Sequence, residues 1–235
     1  MPSDLRSFEI IGNGGAPQLC PPGNTVASLE KAVEVGAQML SVDVRCTLDE
    51  VLVLSQQAVH KVAGREVMIR QRTLEEWQDY LEATHNPLTT LEEAFDLAEK
   101  RRVSLMIQMR DPEIESLVGR AIRNYGFNYM SVLVTTMDDT SRTIMRSLDP
   151  KIPLGHWLDN NKPPKLDTKY LEKIDADAIV WHHKLITPTI VQMMHNRHIL
   201  VYPWLVNLAD EMRRLRNTCK VDGILTDMPD LLRAI

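Results

Sequence analysis

VSLMIQM at residues 103–109, EIESLVGRAIRNY at 113–125, SVLVT at 131–135 and TSRTIMRSL at 140–148 follow one another with spacers of only three to five residues. The first and third runs are short and apolar. The second and fourth place apolar residues three and four apart, the spacing of a helix with one buried face. Strand, helix, strand, helix in direct succession predicts parallel strands joined by helical crossovers.

The same alternation extends in both directions. Upstream, Phe8–Ile11 reads as a strand, Gly12–Gly23 as a Gly/Pro-rich loop, and Thr25–Val35 as a helix capped by Thr25 or Asn24. Met39–Val44 and Val51–Leu54 are further strands, and Leu91–Lys100 is a helix. Downstream, Ile152–Trp157, Asp177–His182, Ile199–Trp204 and Asp222–Thr226 are strands. Thr189–Asn196, Leu208–Arg216 and Pro229–Ile235 are helices or helical turns. About nine strand-like runs in 235 residues point to a closed (β/α)8 barrel, usually ~250 residues long, with one strand outside the ring. Arg45–Glu50 is too short for a parallel crossover, so Met39–Val44 and Val51–Leu54 form a hairpin-like addition. Asn161–Lys165 reads as a loop, and residues 1–235 as a single barrel domain.

Composition narrows the function. Lys plus Arg number 27 against 32 Asp plus Glu, a net charge of −5, so the chain has no basic surplus for nucleic acid. Cys20, Cys46 and Cys219 show no CxxC spacing, which predicts neither a zinc knuckle nor a disulfide framework. No apolar run approaches the ~20 residues of a membrane span, and Met1–Phe8 has no leader-like apolar region. These features predict a soluble, cytoplasmic protein.

In a (β/α)8 barrel the chemistry sits at the C-terminal ends of the strands. Pro22-Gly23-Asn24-Thr25, Val42-Asp43-Val44, Thr73-Leu74-Glu75-Glu76, Leu88 to Glu93, Thr135 to Asp138, Trp204 to Asn207 and Val221 to Asp227 occur in this order over some 200 residues. In that order and placement they resemble the motifs of the glycerophosphodiester phosphodiesterase family of TIM barrels. The resemblance implies lipid metabolism and a metal-assisted phosphodiester hydrolysis. In that chemistry two histidines serve as acid and base, carboxylates hold Mg²⁺ or Ca²⁺, and a cation grips the phosphate.

Matched motif by motif, this chain departs from that machinery. The two family histidines correspond to Asn13 and Ser55, and the arginine after the first histidine to Gly14. The family's P-E-N-T glutamate corresponds to Gly23, and its metal-binding glutamates to Ser41 and Gln108; Asp43 is retained, and the lysine of the third motif becomes Arg110. Amide and hydroxyl side chains do not shuttle protons near neutral pH, and one carboxylate is a weak metal site. The resemblance thus implies the family's fold with a degenerate site that needs no metal cofactor.

Several residues remain candidates. Asp43 is either a weak metal or hydroxyl ligand, or a strand-end carboxylate held by backbone donors or Arg45. Arg110 grips an anion or bridges to Asp43 or Asp111. His182 is a replacement acid or base. It and His183 are expected on opposite sides of their strand, unable to share a metal. Lys184 is a loop-end cation; Trp204, and less strongly His156 with Trp157, line the mouth. Gly12, Gly14 and Gly15 offer backbone N–H groups to an anion. His195, His198, Asn207 and Asp227 read as structural, and Glu211–Arg216 as a solvated charged helix face. Three functions follow: a degenerate relative that binds a phosphate- or polyol-bearing small molecule, a phosphodiester hydrolase or lyase with a rebuilt site using His182, Asp43 and Arg110, or a scaffold acting through its surface.

Overall fold

The computed structural model describes residues 8–62, 64–82, 88–126, 131–158 and 174–235. Residues 1–7, most of the stretch read for a leader, and the expected loop Asn161–Lys165 lie outside them. From the N-terminus the elements are β1 (Glu9–Asn13), α1 (Val26–Glu34), β2 (Met39–Cys46), β3 (Leu52–Leu54), β4 (Val59–Val62), β5 (Arg65–Met68), α2 (Leu74–Glu82), α3 (Leu91–Arg101) and β6 (Ser104–Met109). They continue with α4 (Glu115–Tyr125), β7 (Val132–Thr136), α5 (Asp139–Leu148), β8 (Leu154–Trp157), β9 (Ala178–His182), α6 (Pro188–His195), β10 (Leu200–Trp204), α7 (Ala209–Arg213), β11 (Gly223–Thr226) and α8 (Pro229–Arg233).

Eight parallel strands run in the order β10-β9-β8-β7-β6-β2-β1-β11. The two end strands meet through the Asp222 N–H to Val201 O bond of 3.2 Å and the Val206 N–H to Leu225 O bond of 3.1 Å. This is the (β/α)8 barrel read from the sequence. β3 hangs from β2 as the antiparallel addition, with Val44 opposite Leu54 and Cys46 opposite Leu52. Glycine is required at the seam: a Cβ on Gly223 would come within 2.7 Å of the Glu9 carbonyl oxygen.

Alternation along each strand sorts side chains into two layers. On β2, Leu40, Val42 and Val44 face the helices, and on β6, Leu105, Ile107 and Met109 do the same. The opposite face fills the barrel with Ile11, Met39, Met106, Leu133, Val180, Tyr202 and Leu225. That phase turns Asn13, Ser41, Asp43 and Gln108 inward, toward the strand C-termini. Helix starts follow ordinary caps: Thr25 accepts from Ser28 N–H, Thr90 forms a capping box with Glu93, and Asp138 accepts from Ser141 N–H.

Several boundaries differ from the sequence reading. β2 continues to Cys46 because β3 pairs with its end. β8 begins only at Leu154, after Pro153. The expected helix Leu208–Arg216 is α7 followed by a π-helical turn over Arg214–Cys219. The β4–β5 ribbon and α2 are additional, and Trp77 of α2 packs in a separate small core with Val53, Ile69 and Leu88.

Candidate functional site at the strand C-termini

A cavity of about 570 Å³ opens at the C-terminal ends of β1, β2 and β3. The loop after β1, the β3 end, the hairpin residue His60, and Leu205 and Asp227 from the other side of the seam complete its wall. The loop is tightly built. Gly15 has φ +95° and lies so close to α1 that a Cβ would meet the Ser28 backbone at 2.4 Å.

Two polar networks form the floor. Asn24 donates from Nδ2 to Asp43 Oδ2 at 2.9 Å and accepts the Asp43 N–H at 2.9 Å. Arg110 Nε donates to the other Asp43 oxygen at 2.7 Å. Asp43 is 7 % exposed, and both of its oxygens are therefore engaged by the chain itself. In the second network Asn13 and Asn207 each donate an amide proton to Asp227, both at 2.9 Å. Asn207 also accepts from Thr226 and from the Asp227 N–H. Asn207 and Asp227 thus fix the loop as read from the sequence, and Asp227 also faces the cavity.

Ser55 Oγ lies 3.1 Å from His60 Nε2 on the cavity wall. A serine beside a histidine suggests an activated hydroxyl, but proton accounting opposes it. The hydroxyl has one proton, and it goes to the Gln57 carbonyl at 2.9 Å. The ring nitrogen must then be the donor. Burial, and then the charge of Arg45, lower the His60 pKa and keep the ring neutral. The pair ties the hairpin to the barrel. The sequence singles out neither His60 nor Gln57; it offers Asn24 only as a helix-cap candidate and as part of the Pro-Gly-Asn-Thr motif.

The remaining candidates fall elsewhere. Arg110 borders a smaller cavity of about 210 Å³ with Gln108 and Asp138. Gln108 is 3 % exposed, pairs in register with Asp43, and its side chain has no hydrogen-bond partner among the described residues. Arg45 bridges to Asp111, not to Asp43. Gly14 lines the large cavity, yet its N–H is spent on Ser41 O at 2.8 Å and that of Gly15 on Gly12 O at 3.4 Å. The expected open N–H cradle is therefore absent at these two residues: the loop uses those donors to hold itself.

His182 ends β9, and its Nδ1 accepts from the Lys184 N–H at 3.3 Å. Its pKa is lowered by burial and then by His183 and Lys184. His182 and His183 do not point apart as expected; their rings stack at 4.6 Å. The strand stops at His182 and His183 begins a 3₁₀ turn, which ends the two-residue alternation. Lys184 is exposed. Trp204 packs edge-on against Trp157 at 4.9 Å in the barrel interior. His156 faces away from that interior, with Nδ1 2.7 Å from Arg142 of α5. His195 is structural, bonded to Asp222 at 2.9 Å. The stretch Glu211–Arg216 is less solvated than expected, because Glu211 holds both His183 and Arg214 at 2.7 Å.

The sequence matches the model of the glycerophosphoryl diester phosphodiesterase family over residues 15–231. The chain belongs to this family. A glycerophosphodiester phosphodiesterase of Caldanaerobacter subterraneus is 25 % identical, with 97 % of each chain covered. Among solved structures, a phosphodiesterase of Oleispira antarctica in complex with sn-glycerol-3-phosphate superposes with a TM-score of 0.84 at 18 % identity, covering 96 % of this chain and 95 % of that one. A putative glycerophosphodiester phosphodiesterase of Galdieria sulphuraria gives 0.86 at 17 %, covering 99 % and 98 %.

The family resemblance implies a divalent cation, and the donor set of this family member does not fit one. Among the described residues no three His, Cys, Asp or Glu side chains converge on a point. Mg²⁺ and Ca²⁺ need several hard oxygen ligands. Here Asp43 is the carboxylate at the expected place, and the Arg110 guanidinium already neutralises it. Among the described residues no helix is long and apolar enough to cross a membrane.

Proposed function

We propose that this member of the family is a small-molecule-binding barrel that does not run the metal-assisted phosphodiester hydrolysis. The observation that carries this reading is the state of Asp43: the one carboxylate left at the metal position is closed by Arg110 on one oxygen and Asn24 on the other. The positions matched to the two histidines support it. Asn13 serves as an amide donor to Asp227, and Ser55 serves as a hairpin tie. Neither group transfers a proton near neutral pH.

The test is release of glycerol 3-phosphate from glycerophosphodiesters by the purified chain with Mg²⁺, with Ca²⁺ and without metal. No turnover above background is expected in any arm. Turnover within about tenfold of an ordinary family enzyme overturns the reading. If that activity disappears in His182→Ala, the site has been rebuilt around His182 instead.

A further inference from the structure

Resting on that binding role, we infer that the large strand-end cavity accepts a neutral polyhydroxylated molecule, a glycerol-like polyol or a small carbohydrate, and turns away phosphate esters. The first argument is charge. Asp43 and Asp227 line the cavity, and no Lys or Arg does so among the described residues. The two guanidiniums that bond to lining residues are already committed. Arg110 is held by Asp43, and Arg45, which donates to the Gln56 carbonyl, is held by Asp111. Asp43 and Arg110 cancel each other. Asp227 does not cancel, because its two partners, Asn13 and Asn207, are neutral amides. A phosphate ester would bring a second negative charge to a wall that already carries one, with no cation to receive it.

The second argument is hydrogen-bond chemistry. Phosphate oxygens only accept, whereas a hydroxyl both donates and accepts. The cavity wall offers the carboxamides of Asn13, Gln18, Gln56 and Gln57, each carrying both functions. Asn13 spends an amide proton on Asp227, and its carbonyl oxygen has no partner among the described residues. Each Asp227 oxygen receives one amide donor and retains a lone pair for a hydroxyl. Leu54, Leu88 and Leu205 supply the apolar surface that the C–H faces of a polyol need. A volume of about 570 Å³ lies in the range of small-ligand sites.

The experiment is calorimetric titration of the full chain with glycerol, myo-inositol and maltose, and in parallel with glycerol 3-phosphate and inorganic phosphate. Saturable binding of at least one neutral probe is expected, with no phosphate binding at about tenfold higher concentration. Gln57→Ala, on the exposed rim, should weaken the neutral probe severalfold while the circular dichroism spectrum stays unchanged. Gln56→Arg, also exposed, should raise glycerol 3-phosphate affinity at least about tenfold by supplying the missing cation. If wild-type protein binds glycerol 3-phosphate more tightly than every neutral probe, the ligand class is wrong while the binding role stands. If neither set binds, both fail.

Discussion

The two sides of the barrel mouth handle their side chains in opposite ways. Around β1, β2 and β6, polar groups dominate, and the charged ones are satisfied from within the chain: Asp43 by Arg110 and Asn24, Asp227 by Asn13 and Asn207. Around β8, β9 and β10 the interior is filled by Trp157, Trp204 and Tyr202, and the indole N–H groups of both tryptophans are buried without a partner among the described residues. One side is held by matched charge and hydrogen bonds, the other by packed aromatic area. The polar side can keep Asp43 buried because Arg110 supplies, from inside the chain, the positive charge that the carboxylate needs there.

The comparison can be broken first on the aromatic side. Trp157→Ala removes the edge-on contact with Trp204 and leaves a large void, with an expected loss of about 3–5 kcal/mol in urea unfolding. A loss below about 1 kcal/mol would show that packing does not hold this side. On the polar side, Arg110→Met strands the Asp43 charge. The cost should be about 3 kcal/mol, at the low end for a broken buried pair because the Arg110 side chain is 26 % exposed. Adding Asp43→Asn should recover most of that loss, and a purely additive double variant would refute the pairing.

On the outer face of β8, behind the aromatic side, stands His156. Burial, reinforced by Arg142, holds its pKa down at about 4. The Arg142 guanidinium can only donate, so His156 Nδ1 must accept, and a protonated ring would have to give up that bond. Between pH 6.5 and 4 the unfolded chain binds a proton there that the folded chain does not. The His156 contribution is therefore complete above pH 6.5 and is lost as the pH falls to 4, by about 2–3 kcal/mol. Below that window Glu211 takes over. Its carboxyl, held down at about 2 chiefly by the Arg214 hydrogen bond with His183 assisting, is lost as the pH falls from 4.5 toward 2. Urea unfolding as a function of pH should show the upper phase vanish in His156→Gln. The smallest effect belongs to Ser55→Ala: about 1 kcal/mol, with faster amide exchange in β4 and no change in β7. Equal acceleration in both strands would remove the hairpin-tie role.

How much of this was legible in the sequence follows from the range of each signal. The strands of the ring were readable because each is a local apolar run between helices with matched spacing. The β2–β3 addition followed from a linker too short for a crossover. The β4–β5 ribbon escaped because Val59–Val62 and Arg65–Met68 carry Lys61, Arg65 and Glu66 on a partly exposed two-stranded surface, which leaves no apolar run. The positions matched to the family's proton-transfer and metal residues were found by motif order, and the barrel phase turns Asn13, Ser41, Asp43 and Gln108 inward. Arg110 was read with its Asp43 bridge as one of two outcomes. What no local pattern contains is the clamp of Asn24 on Asp43, which joins a loop to a strand 19 positions away, or the contact of His60 with Ser55 through a ribbon not foreseen.

The seam between β1 and β11 has a consequence for how the protein is made. Glu9 pairs with Gly223, so the first strand of the ring waits for the last to be made. Until then β1 presents an unpaired edge, open to other nascent chains. Closure joins the first and last strands of the ring, with Tyr202 Oη donating to Glu9 at 2.7 Å as a cross-seam latch. Shortening the chain before Gly223 should therefore leave the sheet open and sticky rather than trim a dispensable tail.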